Sequence, residues 1–188
     1  MLHRIFLAIK LQKGMKEQLL AYREKWPELP ARWAKQENLH LTLAFYGNAS
    51  DQELEEIKQK VREVASKHKP FSLKLSKIVY GPSVSQARML WAVGDTTQEL
   101  ASLQQELAVA LERVEEREFS LHLTLARFNE WEFKKINPEE RPEVNEDISF
   151  EITVHSVDIM ESKPRRGGAE YSVVESCKLS AGRRIENS

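Results

Sequence analysis

One six-residue peptide occurs twice in this chain, as Leu39-His-Leu-Thr-Leu-Ala44 and as Leu121-His-Leu-Thr-Leu-Ala126. Against the chain's own composition, a chance second His-Leu-Thr-Leu is on the order of one in a thousand. Its apolar and polar residues alternate as in a β-strand, whose successive side chains point to opposite faces. Leu39, Leu41 and Leu43 then share a core face, and His40 and Thr42 share the other. The same holds for Leu121, Leu123 and Leu125 against His122 and Thr124. Each strand presents an imidazole and a hydroxyl roughly 7 Å apart. If both strands face one groove, it holds two imidazoles and two hydroxyls.

That set has a chemistry. Two imidazoles with pKa values near 6.5 divide labour at neutral pH, one as base and one as acid. Two hydroxyls donate hydrogen bonds to anionic oxygens without adding charge. Hydrolysis or transfer at a phosphodiester needs an activated attacking oxygen, a protonated departing oxygen and donors for the non-bridging oxygens. A single His-x-Thr is ordinarily just the polar face of a strand; the duplication is what argues for a site. A zinc site would need third and fourth ligands from scattered residues, and His3, His68 and His155 show no ligand spacing. No metal and no cofactor are expected. The chain has no Gly-x-Ser-x-Gly elbow, P-loop or Gly-x-Gly-x-x-Gly fingerprint.

The elements that position these residues follow from periodicity. Strands are expected over Leu2–Ile9, Asn38–Tyr46, Phe71–Tyr80, Arg88–Val93, Phe119–Phe128, Ser149–Met160 and Tyr171–Leu179. Helices are expected over Gly14–Trp26, Gln52–Lys67 and Thr96–Val114, the second capped by Ser50 or Asp51. Gly47-Asn48 reads as a turn, and 137–145, with two prolines, as a loop. His68 reads as solvated and His155 as a surface or hydrogen-bonded residue. The tail from Gly182 to Ser188 reads as frayed. The fold class is α+β, with antiparallel sheets and helices packed on them.

Composition bounds the rest. The chain has 188 residues, enough to bury a core without staples, and reads as a single domain over 1–188. Lys and Arg total 28 against 29 acidic residues, which excludes a generally basic nucleic-acid coat but not a small basic pocket. The one cysteine, Cys177, excludes an internal disulfide and reads as a buried structural thiol. No apolar run has the length of a membrane span, and the N-terminus lacks signal-peptide features, so a cytoplasmic protein without a membrane partner is expected.

At the repeated motif the chain resembles the 2H phosphoesterase superfamily, and within it the bacterial and archaeal RNA 2',3'-cyclic phosphodiesterases, once described as 2'-5' RNA ligases. The likeness takes in Arg4-Ile-Phe-Leu-Ala-Ile9, Arg32-Trp33, Glu37-Asn-Leu-His-Leu-Thr-Leu43, Gly47, Met89-Leu-Trp-Ala92, Leu121 to Arg127, Val157 to Glu161 and Gly168 to Tyr171. The resemblance implies a bilobal fold of two intertwined lobes, two antiparallel sheets forming a V-shaped groove with pseudo-two-fold symmetry. It implies hydrolysis of a terminal 2',3'-cyclic phosphate to a 2'-phosphomonoester, reversible as 2'-5' ligation. His40 would give a proton to the leaving 3'-oxygen, and His122 would accept one from water. The residues alone do not separate donor from acceptor. Thr42 and Thr124 would bind the phosphate. The substrate would be RNA with a 2',3'-cyclic phosphate end or a small cyclic nucleotide, and the protein a monomer. The family often carries Arg where Ala44 stands. Arg127 is the remaining cation and a substrate-binding candidate, yet regular alternation sets it on the leucine face unless a bulge intervenes. Arg165 and Arg166 stand in a glycine-rich loop that could close on an RNA backbone, with ordinary solvated charge the favoured reading for either alone. Phe45 and Tyr46 are both base-stacking candidates, with core packing the favoured reading for Phe45. A binding module for RNA ends or cyclic nucleotides, without turnover, is the competing reading.

Overall fold

In a computed structural model, which describes residues 1–113, 119–166 and 168–180, the chain forms nine strands and four α-helices. They run β1 (Leu2–Lys10), α1 (Lys13–Ala21), β2 (Ala31–Trp33), β3 (His40–Ser50), α2 (Asp51–Ala65), β4 (Phe71–Gly81), β5 (Met89–Val93), α3 (Gln98–Ala110), β6 (His122–Phe128), α4 (Glu130–Lys135), β7 (Asn145–Val154), β8 (Ser156–Lys163) and β9 (Glu170–Lys178). One sheet has the order β3-β1-β8-β9 and the other β2-β6-β5-β4-β7. Every pairing is antiparallel. The α+β expectation and its two antiparallel sheets therefore hold.

Local chemistry explains the helices nearest the motif strands. Ser50 caps α2, its hydroxyl accepting from the Glu53 N–H while the Glu53 carboxylate accepts from the Ser50 N–H. Leu54, Ile57, Val61 and Val64 then form one buried stripe. Thr97 caps α3, which buries Leu100, Leu103 and Leu107 completely. Both helices pack on each other and on β3, joining the two sheets in one apolar core.

The two halves repeat one unit: strand, helix, motif strand, helix. β1 pairs with β3 as β5 pairs with β6, and the registers correspond residue by residue. Lys10 faces His40 and Ala8 faces Thr42; Val93 faces His122 and Trp91 faces Thr124. Each motif strand then bulges at the same residue. Leu43 has no partner between Thr42 and Ala44, and Leu125 has none between Thr124 and Ala126. This is the pseudo-two-fold relation.

Several expectations change. Ser149–Met160 is two strands in different sheets: Val154 pairs with Phe71 while Ser156 pairs with Lys178, and exposed His155 is the joint. A continuous apolar rhythm hides such a switch. Gly47 is not a hairpin turn but part of β3, at φ +95° beside a second bulge at Tyr46. β2 lies next to Pro30 and is too short for periodicity to reveal. α4, capped by Asn129, also escapes its window. His68 is not solvated; its ring is largely buried, 3.2 Å from Glu106 Oε1. Val114, the expected end of α3, and the 182–188 tail lie outside the described residues. Cys177 is buried, and burial pushes its thiol up to about 11.

At Gly94, where the chain leaves β5, a Cβ would lie 1.8 Å from the Lys74 carbonyl oxygen of β4. Backbone cannot yield as a side chain does. Gly94→Ala is expected to destabilise the protein by about 3 kcal/mol or more, at the upper end of overpacking costs. Urea unfolding checks this, and an unchanged midpoint would refute it.

Candidate active site

Burying the leucines turns the motif side chains outward. Leu39, Leu41, Leu121, Leu123 and Leu125 are all no more than 2% exposed, and Leu43 is 3% exposed. His40, Thr42, His122, Thr124 and Arg127 all line one cavity of about 490 Å³ between the sheets. That volume suits a nucleotide-sized ligand. The five residues expected from the sequence are thus brought together.

Both histidines are held alike. His40 Nδ1 lies 2.6 Å from the Asn38 carbonyl oxygen, and His122 Nδ1 lies 2.9 Å from that of Ser120. A carbonyl only accepts, so Nδ1 carries the proton in both rings. Nε2 is left as the atom that gains or loses a proton. The Thr42 and Thr124 hydroxyls make no side-chain hydrogen bond within the described residues, which leaves them available to a ligand. Also among those residues, no group of three His, Cys, Asp or Glu side chains is placed to hold a metal ion.

The surroundings of the two rings differ. His40 lies beside Phe6, 4.9 Å between centroids, and against the edge of Tyr171, 5.2 Å away. Burial holds its pKa below the ordinary histidine value, with Lys16 and Arg127 adding repulsion and the Asn38 carbonyl opposing. His122 instead stacks on Trp91, 4.1 Å between centroids and 24° between planes. Trp91 lies flat because Gly81 on β4 has no side chain; a Cβ there would meet the indole at 2.3 Å. At the register position of Trp91, the first half has Ala8.

The bulges decide what stands beyond each threonine. The bulge at Leu125 returns Arg127 to the cavity side, and Ala126 and Phe128 go to the core. In the first half the bulge at Leu43 does the same for Phe45, which is 60% exposed and lines the cavity. Phe45 is therefore not core packing. Tyr46 turns away, with the Arg113 guanidinium 4.7 Å over its ring. Arg165 binds Glu170 at 3.0 Å, and neither it nor Arg166 lines the cavity.

Sequence reading missed the cavity's other cations, Arg4, Arg32 and Lys35. Together with Arg127 they face no acidic residue on its lining among the described residues. In a chain of net charge −1, that is local segregation of charge. Arg4 and Arg32 stand inside segments that carry the family resemblance, which was the available signal. Lys35 gave none.

The Gly81–Trp91–His122 stack yields a test independent of any substrate. Gly81→Ala displaces the indole, and Trp91→Leu removes it. In both, the His122 ring protons lose the indole ring current and move downfield in ¹H–¹³C NMR, while Gly81→Ala costs about 1–3 kcal/mol of stability. Unmoved His122 resonances would sink the platform role.

Comparison with known proteins bears on this geometry. The family model described as LigT like phosphoesterase matches the chain twice, over residues 9–91 and 92–171. The RNA 2',3'-cyclic phosphodiesterase of Methanocaldococcus jannaschii is 27% identical over 176 residues, covering 92% of this chain and 98% of that one. The Thermotoga maritima protein of the same name is 28% identical, covering 95% and 97%. Among solved structures, a Thermus thermophilus protein superposes with a TM-score of 0.79 at 23% identity, covering 96% of this chain and 99% of that one. E. coli LigT complexed with 3'-AMP superposes with a TM-score of 0.75 at 24% identity, with the same coverage. Two successive matches meet between the two motif strands, as the repeated fold requires, and the chain belongs to the LigT-like phosphoesterases of the 2H superfamily.

Proposed function

We propose that this protein hydrolyses RNA terminal 2',3'-cyclic phosphates to 2'-phosphomonoesters by metal-independent, two-histidine catalysis. The observation that carries the reading is the pair of imidazoles in one cationic cavity, each with Nδ1 tied to a carbonyl two residues back. Two rings locked in the same tautomer each expose one proton-exchanging atom. The names of the curated relatives support the substrate class.

Water attacks phosphorus as His122 Nε2 takes its proton. The bond from phosphorus to the 3'-oxygen breaks, and that oxygen takes a proton from His40 Nε2. His122 ends protonated and His40 neutral, and exchange with solvent resets both. Thr42 and Thr124 donate to the non-bridging oxygens, and Arg127 balances their charge. A buried neutral His40 is a poor resting acid. The substrate phosphate supplies the correction, because its negative charge offsets Arg127 and favours the imidazolium.

Two outcomes test this reading. An RNA oligomer ending in a 2',3'-cyclic phosphate, with EDTA present, should yield a 2'-phosphate end, separable from the 3'-phosphate by chromatography. His40→Ala and His122→Ala should each lower kcat by about 100-fold or more, the usual scale of acid–base catalysis, while the oligomer still binds. A 3'-phosphate product, full activity in either variant or loss on chelation would refute the mechanism. The pH profile carries the second outcome. Activity needs His40 protonated, so it falls as pH rises through that group. The descending limb of kcat/KM should lie below the ordinary histidine value of about 6.5, and that of kcat higher, since the bound anion raises the pKa. Coincident limbs above that value would count against His40 as the acid.

A further inference from the structure

We propose that Asn38 is a positioning residue for His40: its side-chain amide, tied to the Ala169 carbonyl, fixes the peptide that orients the imidazole, so that the segment leading into β9 sets the geometry of one histidine and not of the other. The consequence for turnover rests on the phosphodiesterase reading above; the geometry does not.

Asn38 ends a single 3-10 turn, Gln36–Asn38, and its N–H donates to the Lys35 carbonyl at 2.9 Å. Its own carbonyl oxygen lies 2.6 Å from His40 Nδ1. Its side-chain Nδ2 donates to the Ala169 carbonyl at 2.9 Å, across 131 residues of sequence. The next residue, Leu39, is 1% exposed. The peptide joining Asn38 to Leu39 is therefore pinned at both ends, by a leucine in the core and by an amide on the approach to β9. A peptide is planar, so pinning its ends fixes the direction of its carbonyl.

The amide is not there to satisfy itself. Asn38 Oδ1 is buried and has no hydrogen-bond partner among the described residues. A buried acceptor without a donor costs stability. Turning the amide over would set Oδ1 against the Ala169 carbonyl oxygen, two acceptors face to face. An apolar side chain would carry no such cost. What the amide offers in return is its bond to Ala169, and that bond holds the peptide that holds His40.

The same segment also reaches His40 directly. Gly168, at φ +114°, turns the chain toward β9. Ala169 then meets Asn38, and Tyr171 sets its ring edge 5.2 Å from His40. The second half has no counterpart. His122 Nδ1 faces the Ser120 carbonyl, and the Ser120 hydroxyl makes no hydrogen bond among the described residues. There the peptide is steadied by its other end, where the Leu121 N–H donates to Thr96 Oγ1 at 3.2 Å. The Leu39 N–H has only the Gln36 carbonyl, at 3.4 Å. Support for His40 is thus long-range and passes through Asn38, and support for His122 comes from the loop before α3.

The test reads the two rings separately. Asn38→Ala removes the tie and keeps the backbone carbonyl. Ring ¹⁵N shifts report the tautomer without any substrate. His40 should change from the Nδ1-protonated form to a mixture of tautomers, and His122 should not change. The His40 midpoint should also fall further below the ordinary histidine value, because the aligned carbonyl favours the imidazolium. The other charged or titratable groups around the ring, Lys10, Lys16, Arg127, His122 and Tyr171, are untouched by the substitution. On an RNA oligomer ending in a 2',3'-cyclic phosphate, kcat should fall about tenfold with KM moved by less than about twofold. Asn38→Gln, which keeps a donor, should recover part of the loss. If Asn38→Ala does not fold, Asn38→Asp, of the same shape but without the donor, is read by its tautomer in the same way. A parent-like His40 ring, an equal change at both histidines, or an altered ring with unchanged kcat overturns the positioning role. If the parent turns over no cyclic phosphate, the phosphodiesterase reading fails instead, and the ring spectra alone decide.

Discussion

Burial of six leucines is the constraint on which the site depends. Each buried leucine contributes about 2–3 kcal/mol that would be lost if it faced water. Strand side chains alternate, so a slip of one residue would expose all three leucines of a motif and bury its histidine and threonine. The core therefore sets the direction of the functional side chains more firmly than any contact they make themselves. His40 and His122 need only one local hydrogen bond each, to a carbonyl two residues back, to fix tautomer and ring position. That bond lies within the strand's own approach, so each copy of the motif carries it automatically.

Duplication supplies two copies of one motif, and the two-histidine reading proposed above asks different work of each. The two copies differ at three matched positions on the neighbouring strands and beyond the bulges: Ala8 against Trp91, Phe6 against Met89, and Phe45 against Arg127. None of them alters the motif. They change its surroundings, so one imidazole is desolvated among aromatic rings and the other rests on an indole face. A charged ring is disfavoured in the first setting. The bulge matters here as much as the motif, because it returns the third position, Phe45 or Arg127, to the groove.

What the sequence disclosed follows from range. The paired His-x-Thr strands were legible because their pattern is local and occurs twice. The α2 cap was legible because Ser50 and Glu53 interact within one turn. The bulges were not: a strand that skips one partner reads the same as one that does not, so periodicity puts Phe45 in the core. The sheet switch at His155 was hidden for the same reason, since both flanking segments alternate correctly. Lys35 was out of reach because the pairing of β2 with β6 is what brings that segment to the cavity. Long-range pairing decides all of these, and periodicity does not contain it.

The cations also bear on stability. Among the described residues, four positive groups and no acidic one line the cavity, in a chain whose charges overall nearly balance. Repulsion among them works against the folded state. A bound phosphoanion removes that repulsion, and any ligand that binds only the native form stabilises it in proportion to its occupancy. The cavity's cations are thus a local cost to the folded protein and an attraction for an anionic ligand. A carboxylate among them would stabilise the unliganded groove and compete with a phosphoanion for the same cations. Where the leucine faces maximise burial without reference to ligand, the groove leaves its charge uncompensated, and the missing counter-charge is what the substrate brings.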